Sequence, residues 1–146
     1  MNDISVVSLV RQLVDKKFEA NIRLEALEIL KILNQKESCV EIYLVGDKII
    51  KELNGRFRAK NKPTNILSFP EPDNFPHPEI KARFLGEIYL NIPYIKKEGK
   101  FEISVLLIHG ILHLLGYTHK KKNDRMKMEK KENYVLHRFR HRIVSN

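Results

Sequence analysis

The sequence is poor in cysteine: Cys39 is the only one among 146 residues. A single cysteine cannot form an internal disulfide, so the chain is not one of the small secreted proteins whose folds depend on disulfide cross-links. We therefore expect a protein of a reducing compartment. Cys39 itself, within an apolar run, is expected to be a small buried hydrophobic residue.

The chain also lacks a long apolar run and a targeting segment. Its longest apolar stretch, VLLIHGILHLLG, contains histidines and is too short to span a bilayer. The first residues, MNDISVVSLV, have neither the basic start nor the small-residue cleavage site of a signal peptide. We expect a cytoplasmic protein with no membrane association.

Negative charge is in short supply. Lys and Arg number 27 against 18 for Asp and Glu, which gives a net charge of +9. This excess favours an anionic partner, either nucleic acid or an acidic surface, although many soluble proteins are basic without such a partner. Hydrophobic residues make up 42% of the chain, enough for a core.

Hydrophobic periodicity predicts interspersed strands and helices. Predicted strands cover residues 4–10, 40–45, 65–69 and 85–92, and predicted helices cover residues 24–33, 47–54, 102–116 and 123–142. Asn21 is the predicted cap of the first helix, and the strand before Pro93 is predicted to lie at an edge of the sheet. We expect a single α+β domain over residues 1–146, a small mixed sheet packed with helices around one central apolar helix.

Three histidines in that apolar helix and the turn after it predict a metal site. His109 and His113 are four residues apart, which places both rings on one helix face. Gly116 allows the chain to leave the helix in a left-handed turn, so that His119 can supply a third ligand. Unpaired imidazoles buried among leucines would cost free energy, which makes a packing role a poor explanation. Three ligands leave one position open, as in catalytic zinc sites, and we predict one Zn²⁺.

The metzincin proteases share this frame, H-E-x-x-H-x-x-G-x-x-H. Here Gly110 takes the place of the glutamate that acts as their general base, so the metal frame is kept and the peptidase base is missing. His77, His137 and His141 are weaker candidates, since the first lies in a Pro-His-Pro loop and the others in a basic tail.

Residues 109–119, HGILHLLGYTH, closely resemble the signature H-G-x-L-H-L-x-G-Y-D-H. This is the signature of the YbeY family, the bacterial ribosomal-RNA maturation endoribonucleases. Two further blocks resemble the family in the same order. They are LNGRFRAKNKPTNILSFP (53–70), similar to L-N-x-x-Y-R-x-K-D-x-P-T-[DN]-V-L-S-F-P, and LGEI (85–88), similar to L-G-D-I. The chain departs from the pattern at Phe57 for Tyr, Asn61 for Asp, Glu87 for Asp and Thr118 for Asp.

The resemblance implies a metzincin-like α+β fold whose central helix carries the first two histidines. It implies zinc-dependent cleavage of single-stranded RNA, used in 3′-end maturation of small-subunit ribosomal RNA and in ribosome quality control. By position, the family's metal ligands fall on His109, His113 and His119, and its functionally important arginine falls on Arg58.

Basic residues near these motifs are consistent with an RNA substrate, because RNA carries one phosphate charge per nucleotide. The basic residues are Arg56, Arg58, Lys60, Lys62, Lys96, Lys97, Lys100, Lys120, Lys121, Lys122 and the arginines of the tail RFRHR. A guanidinium can hold two phosphate oxygens and stays charged near neutral pH, so Arg58 is the predicted catalytic residue. Glu87 is one candidate general base. A metzincin-like zinc peptidase and a non-catalytic RNA-binding ribosome-assembly factor are the alternatives.

Overall fold

The computed structural model describes residues 1–10, 14–72 and 83–145, with side chains to residue 142. Its strands are Asp3–Ser8 (β1), Ser38–Val45 (β2), Ile66–Pro70 (β3) and Arg83–Asn91 (β4). Its helices are Lys16–Ile32 (α1), Asp47–Arg58 (α2), Ile92–Glu98 (α3), Ile103–Leu114 (α4) and Lys122–Ser145 (α5). The predicted α+β class with a mixed sheet is confirmed.

The four strands form one sheet in the order β1-β2-β4-β3. β2 pairs in parallel with both β1 and β4, and β3 pairs antiparallel with β4. The prediction of β4 as an edge strand is therefore wrong, because β4 lies between two neighbours. Pro93 places no constraint on the strand, since it falls in the first turn of α3, where a missing N–H costs no helical hydrogen bond.

Different helices pack on the two faces of the sheet. Along β2, Val40, Ile42 and Leu44 are buried in the main core, which they share with residues of α1, α4 and α5. The alternating residues point to the other face, where Tyr43 packs in a smaller cluster with Ile50 of α2. The predicted central apolar helix is thus α4, between the sheet and two other helices.

The first helix begins earlier than its apolar periodicity indicates. A carboxylate oxygen of Asp15 accepts a hydrogen bond from the Phe18 amide at 2.8 Å, so Asp15 is the N-cap and the prediction of Asn21 is wrong. The two added turns are mostly exposed, so they contribute little to the hydrophobic periodicity from which the helix was predicted. Cys39 is half-buried, not fully buried as predicted, because it sits at the alternating positions of β2 that face away from the main core.

Candidate metal centre

Helix α4 lies close against the sheet because residue 110 is glycine. A Cβ atom at Gly110 would lie 3.0 Å from Ile66 Cδ1, 3.1 Å from Ser68 Oγ and 3.2 Å from Ile88 Cδ1. The face of α4 that contains Gly110 therefore packs on β3 and β4. A side chain at this position would meet these strand residues, so the close packing of α4 on the sheet excludes the glutamate of the metzincin frame.

The chain reverses directly after α4 through a left-handed residue. Gly116 has φ +100°. Its N–H donates to the His113 carbonyl at 3.0 Å, and the Tyr117 N–H donates to the Leu112 carbonyl at 3.0 Å. This pair of bonds is a Schellman motif, which ends the helix and turns the chain back. The predicted use of Gly116 is confirmed, and the turn brings His119 beside the helix.

The rings of His109, His113 and His119 converge at one point. One nitrogen of each ring lies within 4.8 Å of the nitrogens of the other two, an arrangement that could hold a metal ion. The Nε2 atoms of His109 and His113 are 3.1 Å apart. Two nitrogens bound tetrahedrally to one zinc ion at about 2.0–2.1 Å are roughly 3.3 Å apart, so the observed spacing suits a shared ion.

Each of the two helical rings has an outer partner near Nδ1, while its Nε2 faces the other ring. The Nδ1–H of His113 donates to the Tyr117 carbonyl at 2.9 Å. A carbonyl can only accept, so the proton is on Nδ1 and Nε2 keeps its lone pair. The Nδ1 of His109 lies 3.4 Å from a carboxylate oxygen of Glu132, on α5. Sequence reasoning missed Glu132, which lies in a helix whose many charges gave no reason to single it out.

The surroundings of His113 favour the neutral form of its ring. Burial and then the neighbouring His109, His119 and Arg58 lower the pKa of His113, which the Tyr117 carbonyl partly opposes, and the net result is a pKa of about 4. A metal ligand must be unprotonated, so His113 is in its ligand form at neutral pH before any ion arrives.

The lowered pKa of His113 predicts acid sensitivity of the metal-free protein. Between pH 6.5 and about 4 the unfolded chain protonates His113 and the folded chain does not, so stability should fall as the pH falls through this window. Urea unfolding at several pH values in the presence of a chelator measures the effect. The variant His113→Gln should lose less stability over the same window, and an identical pH dependence of the two proteins would contradict the assignment.

The histidines open into a cleft of about 740 Å³. Four cationic side chains line it, and no Asp or Glu is among its described lining residues. The cationic residues are Arg58, Lys60, Lys62 and Lys120. Buried Asn54 fixes the turn that carries two of them, because its amide donates to the Lys62 carbonyl at 2.8 Å. The cleft is thus strongly positive beside a possible metal site.

Arg58 is held at the edge of this cleft. It is the last residue of α2, and its guanidinium donates to the Ser68 carbonyl at 3.1 Å. The same guanidinium lies 5.7 Å from the centre of the Phe69 ring, within cation–π range. One side of Arg58 is thereby fixed, and the group lies close enough to His113 to affect the pKa of that ring.

Other basic residues singled out in the sequence have different surroundings. Lys96 lies 5.2 Å from the ring centre of Phe18. In the tail, Arg142 pairs with Glu28 at 2.8 Å and Arg140 lies 3.5 Å from Glu102. These three, with Arg56, Lys97, Lys100, Lys121, Lys122 and Arg138, are not among the residues that line the cleft. Arg140 and Arg142 thus pair with residues outside α5.

Glu87 is not positioned to act as a general base. The neighbouring Ile88 points toward α4, so Glu87 projects from the opposite face of the sheet. There its carboxylate accepts a hydrogen bond from the Tyr89 hydroxyl at 2.7 Å. His77 lies outside the described residues. His137 and His141 are exposed on α5 and do not line the cleft.

Comparison with known proteins gives this site a context. The family model described as Endoribonuclease YbeY matches residues 9–140. The chain belongs to the YbeY family. A curated YbeY relative, Endoribonuclease YbeY of Persephonella marina, is 40% identical over 76% of this chain and 76% of its own length. That of Thermodesulfovibrio yellowstonii is 34% identical over 90% of this chain and 84% of its own length.

A solved structure supports the fold of this YbeY family member. The solution structure of a protein from Thermotoga maritima is 27% identical in sequence and aligns with a TM-score of 0.52, covering 98% of this chain and 95% of that one. Within the described part of the chain, every helix is too short or too polar to cross a membrane.

Proposed function

We propose that this YbeY family member is a zinc-dependent endoribonuclease that cleaves single-stranded RNA during ribosomal-RNA processing in the cytoplasm. Within that role we include 3′-end maturation of small-subunit RNA and ribosome quality control, as the sequence resemblance implies. Family membership supports the endoribonuclease activity. The observation that carries the proposal is the placement of the three histidines inside a cleft whose charged lining is entirely cationic in the described residues.

The charge of the cleft matches a polyanion. Arg58, Lys60, Lys62 and Lys120 lie around the histidines, where each can neutralise phosphate of a bound strand. The cleft is a local concentration of positive charge, and it is more informative than the net charge of the whole chain. A peptide substrate would gain little from such a lining.

The histidine site suits zinc. Three imidazole donors are a common set for catalytic zinc and leave room for a further ligand. His109, His113 and His119 would hold the ion, and the Nδ1–H of His113 is already bound to the Tyr117 carbonyl. When bound, the ion would act as a Lewis acid toward water or a phosphate oxygen.

Arg58 is the proposed catalytic residue. Its guanidinium carries a permanent positive charge and has donors beyond the one that Ser68 accepts. It can therefore bind phosphate oxygens and stabilise the negative charge that builds up on phosphorus in the transition state. Thr118 also lines the cleft and offers a hydroxyl where the family pattern has a carboxylate.

Two other functions are less well supported. A metzincin-like peptidase would need a general base beside the ion, and the Gly110 position faces the sheet. A non-catalytic RNA-binding ribosome-assembly factor would use the same cleft for binding alone. Cleavage of RNA by the purified protein separates the second candidate from the proposed enzyme.

Arg58→Ala is expected to slow cleavage of a single-stranded RNA oligonucleotide by about 100-fold or more, the usual effect of removing one transition-state donor. Zinc content and fold should not change, because Arg58 is exposed and is not a ligand. Cleavage rates of the single strand and of the matching duplex, followed on denaturing gels with zinc-loaded protein, make the measurement. The duplex should resist cleavage.

Arg56→Ala is the matched control, since it removes the same charge from an exposed position of the same helix without altering the lining of the cleft. It should retain most of the activity. Equal loss in the two variants would show that general attraction of RNA, and not Arg58 itself, determines the rate. Absence of RNA cleavage by the unaltered, zinc-loaded protein would reject the proposed activity.

A further inference from the structure

Helix α5 has a carboxylate where its buried stripe would favour an apolar residue. Met128, Val135 and Phe139 are almost fully buried against the main core. Glu132 is four residues after Met128 and three before Val135, so it lies on the same inward face. A charged group on this face requires a compensating partner, because burial of an unpaired charge is costly.

The partner of Glu132 is a histidine of the candidate metal centre. A Glu132 carboxylate oxygen lies 3.4 Å from His109 Nδ1, and the two side chains are 26% and 31% exposed. Both residues line a cavity of about 420 Å³ whose wall is largely apolar, with Phe101, Val105 and Leu106 among its members. A contact in such surroundings is screened less by water than one on the open surface.

We propose that Glu132 is a positioning residue for the metal centre. Its carboxylate accepts the Nδ1–H of His109, which keeps the proton on Nδ1, leaves the Nε2 lone pair free and orients the ring toward His113 and His119. The inference rests on the proposed function, in that it requires the three histidines to bind an ion. Carboxylate partners of this kind also raise the basicity of a metal-bound imidazole.

The two helical histidines would then be oriented by acceptors of different kinds. The acceptor for His113 is the Tyr117 carbonyl, from the turn that follows the same helix. The acceptor for His109 comes from α5, more than twenty residues away in sequence. The far end of α5 is fastened to α1 through the pair of Arg142 and Glu28 at 2.8 Å. Docking of α5 therefore contributes directly to the metal centre and not only to the core.

The affinity for zinc tests the proposal without relying on enzymatic activity. Glu132→Ala should weaken zinc binding by about 10- to 100-fold, the usual effect of removing an outer carboxylate partner. Glu132→Gln keeps the size of the side chain and lacks the charge, so it should also bind zinc more weakly than the unaltered protein. Competition with a coloured chelator gives the affinities. NMR of the histidine ring protons should show that the Nδ1–H signal of His109 shifts or disappears in both variants.

Glu129→Ala is the matched control. Glu129 lies three residues earlier on α5 and lines the same cavity, so this variant removes the same charge without removing the contact to His109. Its zinc affinity should equal that of the unaltered protein. Equal weakening in the Glu129 and Glu132 variants, or unchanged affinity and ring signals in both Glu132 variants, would overturn the proposal while leaving the zinc site intact. Failure of the unaltered protein to bind zinc would overturn the positioning role and the proposed function together.

Discussion

Replacing His113 with alanine should leave the purified protein without stoichiometric zinc. His113 contributes the most constrained of the three rings, with its Nδ1–H on the Tyr117 carbonyl and its Nε2 3.1 Å from that of His109. Structural zinc sites gain roughly 10–16 kcal/mol from four ligands, so loss of one ligand should weaken binding by about 100-fold or more. RNA cleavage should fall to background in the same variant, because two imidazoles cannot retain the ion at ordinary concentrations.

Metal analysis after dialysis against trace zinc measures the loss. His137→Ala is the control, since His137 is exposed on α5 and takes no part in the cleft. It should bind one zinc ion per chain, as the unaltered protein should. Full zinc content in the His113 variant would reject the ligand assignment, and with it the proposed mechanism.

The second large effect is on the stability of the fold and not on metal binding. Gly86→Ala should destabilise the protein by about 3 kcal/mol or more, because two penalties of 1–3 kcal/mol each combine. Gly86 has φ +141°, a conformation that side-chain-bearing residues rarely adopt. A Cβ atom there would lie 2.3 Å from the Phe69 carbonyl oxygen and 2.9 Å from Leu114 Cδ2. The backbone oxygen belongs to the paired strand β3 and cannot move aside without breaking the sheet.

Gly99→Ala measures the penalty of a positive φ without the steric clash. Gly99 also has positive φ, +65°, but a Cβ atom there would meet no atom within 4 Å. Gly99→Ala should therefore lower the free energy of unfolding by only about 1 kcal/mol, the usual effect of placing alanine in a left-handed cap. Urea unfolding of both variants, in metal-free form, gives the comparison. Equal stabilities for the two variants would show that the close approach of β3 and β4 is not maintained in solution.

Much of the fold was predictable because its local signals agree with the final packing. The strands β1, β2, β3 and β4 and the helices α1, α2, α4 and α5 all overlap segments predicted from periodicity. The strand order was not predictable, because alternation shows which face of a strand is buried and not which strand is beside it. α3 was missed since it is short and begins at Pro93, a residue that equally well ends a strand.

The histidines were predictable because helical spacing and one glycine determine their meeting point. The charged residues around them were not. Glu87 looked suitable by its place in a motif, yet strand alternation turns it to the opposite face of the sheet, where it accepts from Tyr89. Glu132 lies in a segment rich in charge, and its contact with His109 depends on how α5 docks against α4. Such long-range placement cannot be deduced from local sequence.

The three proposed ligands differ in how firmly the chain holds them. His109 and His113 project from a hydrogen-bonded helix embedded in the core, whereas His119 is exposed on the loop that follows it. Local opening of that short loop would move His119 out of the site and leave His109 and His113 in place on the intact helix. If an ion binds there as proposed, its release and global unfolding would be separate events, and its lifetime would depend on the loop and not on the stability of the core.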